Sequence, residues 1–115
     1  MLKKKNRLRK KKDFEKIKRL GEWIRTPIFG ALWLKEMAEE MKFGMVVSKK
    51  VSKKATERNK IKRILARLIK NKEDCWKDQK GMVLILVRQS ILNKSYDEIS
   101  KEVEKVWERI APEKR

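Results

Sequence analysis

The residues best suited to chemistry lie between Ser48 and Arg67, in the run SKKVSKKATERNKIKRILAR. Ammonium groups, hydroxyls and the N–H groups of a helix start all suit phosphate, and a guanidinium can grip two phosphate oxygens or stack on a base. Asn59 carries both a donor and an acceptor, so it could contact a 2′-hydroxyl or a base edge. The candidate contact residues are Ser48, Lys49, Lys50, Lys53, Arg58, Asn59, Lys60, Lys62, Arg63 and Arg67. Their types predict binding to a polyanion.

Side chains that could break bonds are scarce in the same sequence. Histidine, the commonest general base, is absent, and the aspartates are scattered along the chain. The single cysteine, Cys75, has no histidine to deprotonate it and no second cysteine to pair with, so it is predicted to be structural or incidental. We predict no catalytic residue, no metal site on the protein and no small-molecule substrate.

The charge of the chain is large and unevenly placed. The 115 residues include 34 Lys and Arg against 16 Asp and Glu, a formal charge of +18. Residues 3–12 hold eight basic side chains without an acid, and residues 49–72 hold eleven with only Glu57 opposing them. Residues 95–115 are nearly neutral, with five basic and six acidic side chains. So many like charges repel one another without a counter-charge, and nucleic acid is therefore the predicted partner.

Membrane insertion and secretion are not expected. The N-terminus has charge without an apolar stretch behind it, and the longest apolar run, residues 82–87, has six residues, far short of a membrane span. The one cationic helix needs its apolar face for a core, which argues against lipid binding. A single cysteine fits a reducing compartment, and the cytoplasm is the predicted location.

Apolar spacing predicts the elements that must position the cationic segment. Residues 1–11 contain little to bury and are predicted to be a mobile basic arm, followed by a single domain over residues 12–115. Helices are predicted over residues 13–20, over 55–71 and from Ser95 to before Pro112, and strands over 28–34, 44–48 and 82–87. The state of the connection over residues 35–43 is left open. The order is α-β-β-α-β-α.

The cationic segment also resembles a known family. The run VSKKVSKKATERNKIKRIL is similar to the signature of the bacterial ribonuclease P protein, in which V-S-K-K precedes R-N-R and I-K-R, and NRLRKKKDF resembles the opening of that family. The resemblance implies an α/β (α+β) sandwich with a mixed four-stranded sheet and a left-handed β-α-β crossover, an exception to the usual handedness. Lys60 departs from the pattern, because it keeps the charge of the second arginine of R-N-R but loses its planar fork.

The resemblance also implies a function. The chain would be the protein subunit of an endoribonuclease holoenzyme, in which the ribonuclease P catalytic RNA removes the 5′ leader from precursor tRNA and Mg²⁺ is held mainly by RNA. Arg58, Asn59, Lys62 and Arg63 would then be the main contacts to the catalytic RNA. A ribosomal or RNA-assembly protein without processing activity would carry the same basic arm and small α/β domain, and it is the alternative; a protein-only nuclease is the third hypothesis.

A cleft for the leader is the second site that the resemblance implies. Phe14 matches an aromatic residue of that cleft and would stack on a leader base, while Lys18 stands where many members carry a second aromatic and would attract phosphate instead. Periodicity alone makes Phe14 an equally good core residue. For Phe29 and Trp33, which share a face of the predicted strand, the core is favoured over the cleft.

Overall fold

A mixed four-stranded sheet organises the chain. The computed structural model describes residues 2–35 and 39–110. Its strands are β1 (Glu22–Arg25), β2 (Phe29–Lys35), β3 (Met41–Val46) and β4 (Gly81–Val87), in the order β1-β2-β4-β3. Strand β4 pairs antiparallel with β2 and parallel with β3, so the sheet is mixed. The implied four-stranded sheet is confirmed, while the handedness of the crossover between β3 and β4 stays a prediction.

Four helices accompany the sheet. They are α1 (Lys11–Leu20), α2 (Ala55–Asn71), α3 (Glu73–Trp76) and α4 (Tyr96–Ile110), and single 3₁₀ turns occupy Lys4–Asn6 and Gln89–Asn93. The bounds of α2 coincide with the predicted 55–71, because its apolar residues keep helical spacing throughout. The short α3 is absent from the predicted order.

The main core lies between one face of the sheet and helices α2 and α4. It contains Phe29 and Trp33, whose exposed fractions are 0% and 6%, so both are core residues, as favoured from the sequence. Phe43 of β3 meets the ring of Trp107 edge-to-face at a centroid distance of 6.0 Å. From the helices the main core takes Ile61, Leu65, Leu68, Ile69, Ile99, Val103, Val106, Trp107 and Ile110.

A second, smaller core lies on the opposite face of the sheet, beneath α1. Ile17 of α1 is fully buried there with Leu32, Met82 and Leu84 of the central strands. Phe14, one helical turn before it, packs against this core but remains half-buried. Part of its ring therefore serves the core and part stays accessible.

The N-terminal segment, which the sequence predicts to be a mobile arm, lies along β3 in its described part. Leu2, Asn6 and Leu8 are buried, with exposed fractions of 4%, 5% and 6%. The Asn6 side-chain amide donates to the Met41 carbonyl at 2.8 Å, and the Leu8 N–H donates to the Phe43 carbonyl at 2.8 Å. Three buried side chains and two hydrogen bonds thus hold the described part of the segment along β3, although its lysines face solvent. The mobility of the arm stays a prediction.

Strands β1 and β3 also differ from the predicted pattern. Strand β1 was not predicted, because in four residues it buries only Ile24 and depends on pairing with β2. Strand β3 begins at Met41 rather than residue 44. Met41 and Phe43 are two residues apart, so both side chains lie on the same face of the strand and are buried. Of the open connection over residues 35–43, positions 36–38 lie outside the described residues.

Ser95 followed by Glu98 three residues later is a capping-box pattern, and it fixes the start of α4. The Ser95 N–H donates to the Glu98 carboxylate at 2.9 Å, and the Glu98 N–H donates to the Ser95 hydroxyl at 3.2 Å. Hydrogen bonds from the Ser95 backbone and side chain hold the pKa of the Glu98 carboxyl below its usual value. This arrangement sets the position of Tyr96, the first residue of the helix.

Candidate RNA interface

Helix α2 presents a row of cations on the side that faces away from the core. Its apolar side buries Ile61, Leu65 and Leu68, and the helical repeat directs the intervening basic residues outward. We call the outward residues the α2 ridge: Arg58, Asn59, Lys60, Lys62, Arg63 and Arg67. Within residues 2–35 and 39–110, no cation of the ridge lies within 4.0 Å of a carboxylate. Their charge is therefore available to an external anion.

The loop between β3 and α2 presents further lysines. Val47 and Val51 are buried and fasten the loop to the main core. Between them, the Ser48 hydroxyl accepts the Lys50 N–H at 3.3 Å in a tight turn. The predicted contact residues of this loop, Ser48, Lys49, Lys50 and Lys53, are all exposed.

Ser52 joins this loop to the first turn of α2. Its hydroxyl bonds to the Glu57 carboxylate and accepts the Lys54 N–H at 3.2 Å. Its carbonyl accepts a hydrogen bond from the Arg58 guanidinium at 2.9 Å. Glu57, the one acid of the segment, is thus occupied by a neutral partner, and Arg58 uses one N–H for the loop while its other donors remain available.

A groove of about 520 Å³ passes over strand β3, between α1 and α2. Phe14 reaches it from α1, while Asn59, Lys62 and Arg63 reach it from the α2 ridge. We call it the Phe14 groove; its other lining residues are Leu2, Arg7, Leu8, Arg9, Phe43, Gly44, Met45 and Ala66. An apolar floor with a cationic rim can receive a base between charged groups that hold its phosphates.

Gly44 has no side chain and so leaves space at the floor of this groove. A Cβ atom at Gly44 would lie 3.1 Å from the Cβ of Leu8 and 3.1 Å from a methyl group of Leu84. Such contacts are tighter than ordinary van der Waals packing, so a side chain at position 44 would displace Leu8. The glycine therefore allows the N-terminal segment to lie against β3 beside the groove.

The ridge also borders a second depression, on the side of α4. Two adjoining cavities of about 370 and 190 Å³ share Lys60, Ile64 and Tyr96 as lining residues, and we call them together the Tyr96 hollow. Arg63 and Arg67 line the smaller cavity. Arg63 lines both this hollow and the Phe14 groove, so the ridge separates two depressions that share one guanidinium.

The structure thus divides the predicted contact residues. It brings Asn59, Lys62 and Arg63 together with Phe14, but Lys60 and Arg67 face the Tyr96 hollow instead. Lys18 is exposed on α1 and is not among the residues that line the Phe14 groove. The four loop residues from Ser48 to Lys53 line neither depression.

Sequence reasoning missed three residues of these depressions. Arg7 and Arg9 line the Phe14 groove, although the sequence predicts a mobile arm for the segment that carries them. Their alternation with the buried Leu8 is the pattern of an extended segment with one face covered, and it is a usable signal. Tyr96 has no such signal, since only the packing of α4 beside α2 brings it to the ridge.

Other kinds of site find little support in the described residues. Across residues 2–35 and 39–110, no three acidic or thiol side chains are grouped so that they could hold a metal ion. Cys75 is free and half-buried. No helix in the described part of the chain is both long enough and apolar enough to cross a membrane.

Comparisons with known proteins agree with this geometry. A family model described as ribonuclease P matches residues 2–111. A ribonuclease P protein component from Dictyoglomus turgidum is 30% identical over 107 residues, which cover 92% of this chain and 89% of the relative. One from Legionella pneumophila is 31% identical over 109 residues, covering 95% of this chain and 92% of the relative.

Solved structures show the same fold. The ribonuclease P protein from Thermotoga maritima superposes with a TM-score of 0.79 at 23% identity, over 90% of this chain and 96% of that one. The Staphylococcus aureus protein gives a TM-score of 0.81 at 24% identity, over 92% of this chain and 97% of that one. With a family model that spans nearly the whole sequence, the chain belongs to the ribonuclease P protein family.

Proposed function

We propose that this chain is the RNA-binding protein subunit of a ribonuclease P, which assists a catalytic RNA in removing the 5′ leader from precursor tRNA. The observation that carries the proposal is the α2 ridge, whose cations have no carboxylate partner among the described residues and stand directly beside the Phe14 groove. A row of free cations favours a polyanion, and an aromatic residue in the adjoining groove favours one with unpaired bases.

In this proposal the protein binds and orients, and the RNA supplies the reactive centre. The ridge neutralises phosphates of the catalytic RNA, which lowers the repulsion between that RNA and its substrate. No residue of the chain is assigned to bond breaking, since no described side-chain group suits a metal and histidine is absent. Mg²⁺ held mainly by RNA phosphates would stabilise the developing charge of the hydrolysis. Such an assembly would work in the cytoplasm.

The Phe14 groove is proposed to hold the single-stranded leader. The ring of Phe14 is half-buried. The buried part of the ring packs against the second core, and the accessible part could stack on a base. Arg7, Arg9 and Lys62 line the same groove and would meet the phosphates on either side of that base. Contacts of this kind are tolerant of sequence, as a leader that varies between tRNAs requires.

The function is tested by reconstitution. Addition of the protein to its cognate catalytic RNA should lower the Mg²⁺ concentration at which half of the precursor tRNA molecules lose their leader. The reason is that cations of the protein replace part of the Mg²⁺ that screens repulsion between phosphates. Leader removal is followed on gels across a magnesium series, with and without protein. Identical midpoints in the two series would contradict the proposal, as would leader removal by the protein after the RNA has been digested away.

Phe14→Ala should reduce affinity for precursor tRNA and leave affinity for mature tRNA unchanged. A base that stacks on an aromatic ring contributes about 1–3 kcal/mol, and only the precursor carries the leader. Binding of both tRNAs to the assembled holoenzyme is measured at one salt concentration. Phe14→Leu is the matched control, since it retains apolar packing on the second core without the ring; it should lose nearly as much precursor affinity. Equal losses for precursor and mature tRNA would show that Phe14 makes no leader contact.

A further inference from the structure

We propose that the Tyr96 hollow is a second aromatic site, which takes up one unpaired nucleotide of the RNA bound along the α2 ridge. The proposal rests on the proposed function, because it requires RNA on the ridge. It adds a contact on the far side of α2 from the Phe14 groove and assigns the stacking to Tyr96, a residue of α4.

The hollow has the size and lining of a base-binding site. Its larger cavity, of about 370 Å³, falls within the range of roughly 300–1,000 Å³ usual for small-ligand pockets. Its floor is apolar and its rim is charged. The apolar lining consists of Ile61, Ile64, Ile91, Leu92 and Ile99, and the cationic lining of Lys60 and Lys94.

Tyr96 is placed so that it can stack rather than fill the core. Its exposed fraction is 39%, and that of its neighbour Leu92 is 38%, so part of the ring is accessible to a ligand. The Ser95–Glu98 capping box fixes the backbone at this point. The side-chain amide of Asn71 donates a long hydrogen bond, of 3.5 Å, to the Tyr96 hydroxyl, which places the ring beside the end of α2.

The charges around the hollow identify its occupant as nucleic acid. Lys60, Arg63 and Arg67 line the smaller cavity with Tyr96, and Lys94 lines the larger one. Glu57 is the one acid of the lining, so the four cations leave its net charge positive. A short apolar cavity ringed by cations suits a flat base with flanking phosphates, and it is continuous with the ridge through Arg63. A protein helix or a lipid chain would need a longer apolar groove.

Two variants of Tyr96 test the assignment, measured as affinity of the full chain for its cognate catalytic RNA. Tyr96→Leu keeps an apolar side chain but removes the ring, and it should weaken binding by about 5- to 150-fold. Tyr96→Phe keeps the ring and should bind within about twofold of the unaltered protein, because base stacking does not need the hydroxyl. The salt dependence of binding should be the same for all three proteins, since stacking releases no counterions.

The outcomes separate this proposal from the proposed function. If Tyr96→Leu binds RNA as tightly as the unaltered protein, while neutralising the ridge still weakens binding, the Tyr96 site is refuted and the proposed function stands. Equal losses in Tyr96→Leu and Tyr96→Phe would also refute stacking. Ultraviolet cross-linking of the complex, followed by mass spectrometry, should join a nucleotide to the peptide that contains Tyr96; cross-links confined to peptides of α1 and the N-terminal segment would overturn the assignment.

Discussion

Replacing Arg58, Lys62 and Arg63 together by glutamine is expected to weaken RNA binding about 100-fold at 0.1 M salt and to flatten its salt dependence. Removal of one phosphate contact reduces the slope of log affinity against log salt by about 0.7 to 0.9, so the removal of three reduces it by about two units. The three residues are suited to this test because none of them pairs with a described carboxylate and all lie on one side of α2. Binding to the catalytic RNA is measured at several salt concentrations.

Helix α4 offers a matched control for this triple variant. Lys101, Lys105 and Arg109 are all exposed and carry the same total charge, but Lys105 pairs with Glu102 at 2.8 Å and Arg109 with Glu22 at 3.2 Å. Their replacement by glutamine removes three charges from a nearly neutral surface. The slope of log RNA affinity against log salt should therefore hardly change. If both triple variants flatten the slope equally, binding depends on net charge alone and the ridge is not the interface.

Trp107→Ala should cost about 3–5 kcal/mol in the free energy of unfolding, the range found when large aromatic residues are removed from cores. The side chain is 1% exposed, and it packs edge-to-face on Phe43 beneath α4. Domains of this size are stable by about 5–15 kcal/mol, so the loss is a large part of the total. Urea denaturation followed by circular dichroism measures this loss. The comparison requires that the slope of the free energy of unfolding against urea concentration is the same in both proteins.

Trp107→Phe separates packing from hydrogen bonding at this site. The Trp107 Nε1–H has no hydrogen-bond acceptor among the described residues, and such a buried donor costs about 1–3 kcal/mol. Phenylalanine removes that donor and keeps a ring against Phe43, so most of the stability should be retained. Similar losses in Trp107→Phe and Trp107→Ala would mean that the ring contact with Phe43 contributes little to the core.

The helices were the most predictable part of the fold because their evidence is local. Helix α2 repeats apolar residues at helical spacing over its whole length, and α4 adds a capping box that the hydrogen bonds of Ser95 and Glu98 confirm. Strand β1 was not predictable in this way. Its four residues form a strand because β2 lies beside them, and that partner is only specified by the complete sheet.

The candidate site was predictable in its charge but not in its shape. The composition of residues 48–67 predicts an anionic partner whatever the fold, since so many cations share one segment. Which cation meets which aromatic residue depends on long-range packing. Phe14 lines one groove with Asn59 and Lys62 over strand β3, whereas Tyr96 lines one cavity with Arg67 where α4 lies beside α2. Neither pairing has a signal in local spacing.

The N-terminal segment has a consequence for the protein before it meets RNA. Strand β3 is one of the two edge strands of the sheet, and the backbone hydrogen bond of Leu8 and the amide of Asn6 occupy its free side. An outer strand with vacant carbonyls is a template on which another polypeptide can add, which leads to aggregation. Trimming of the first eight residues by a protease would uncover this template. The N-terminal segment therefore covers the carbonyls of Met41 and Phe43 and withholds this edge from a second polypeptide.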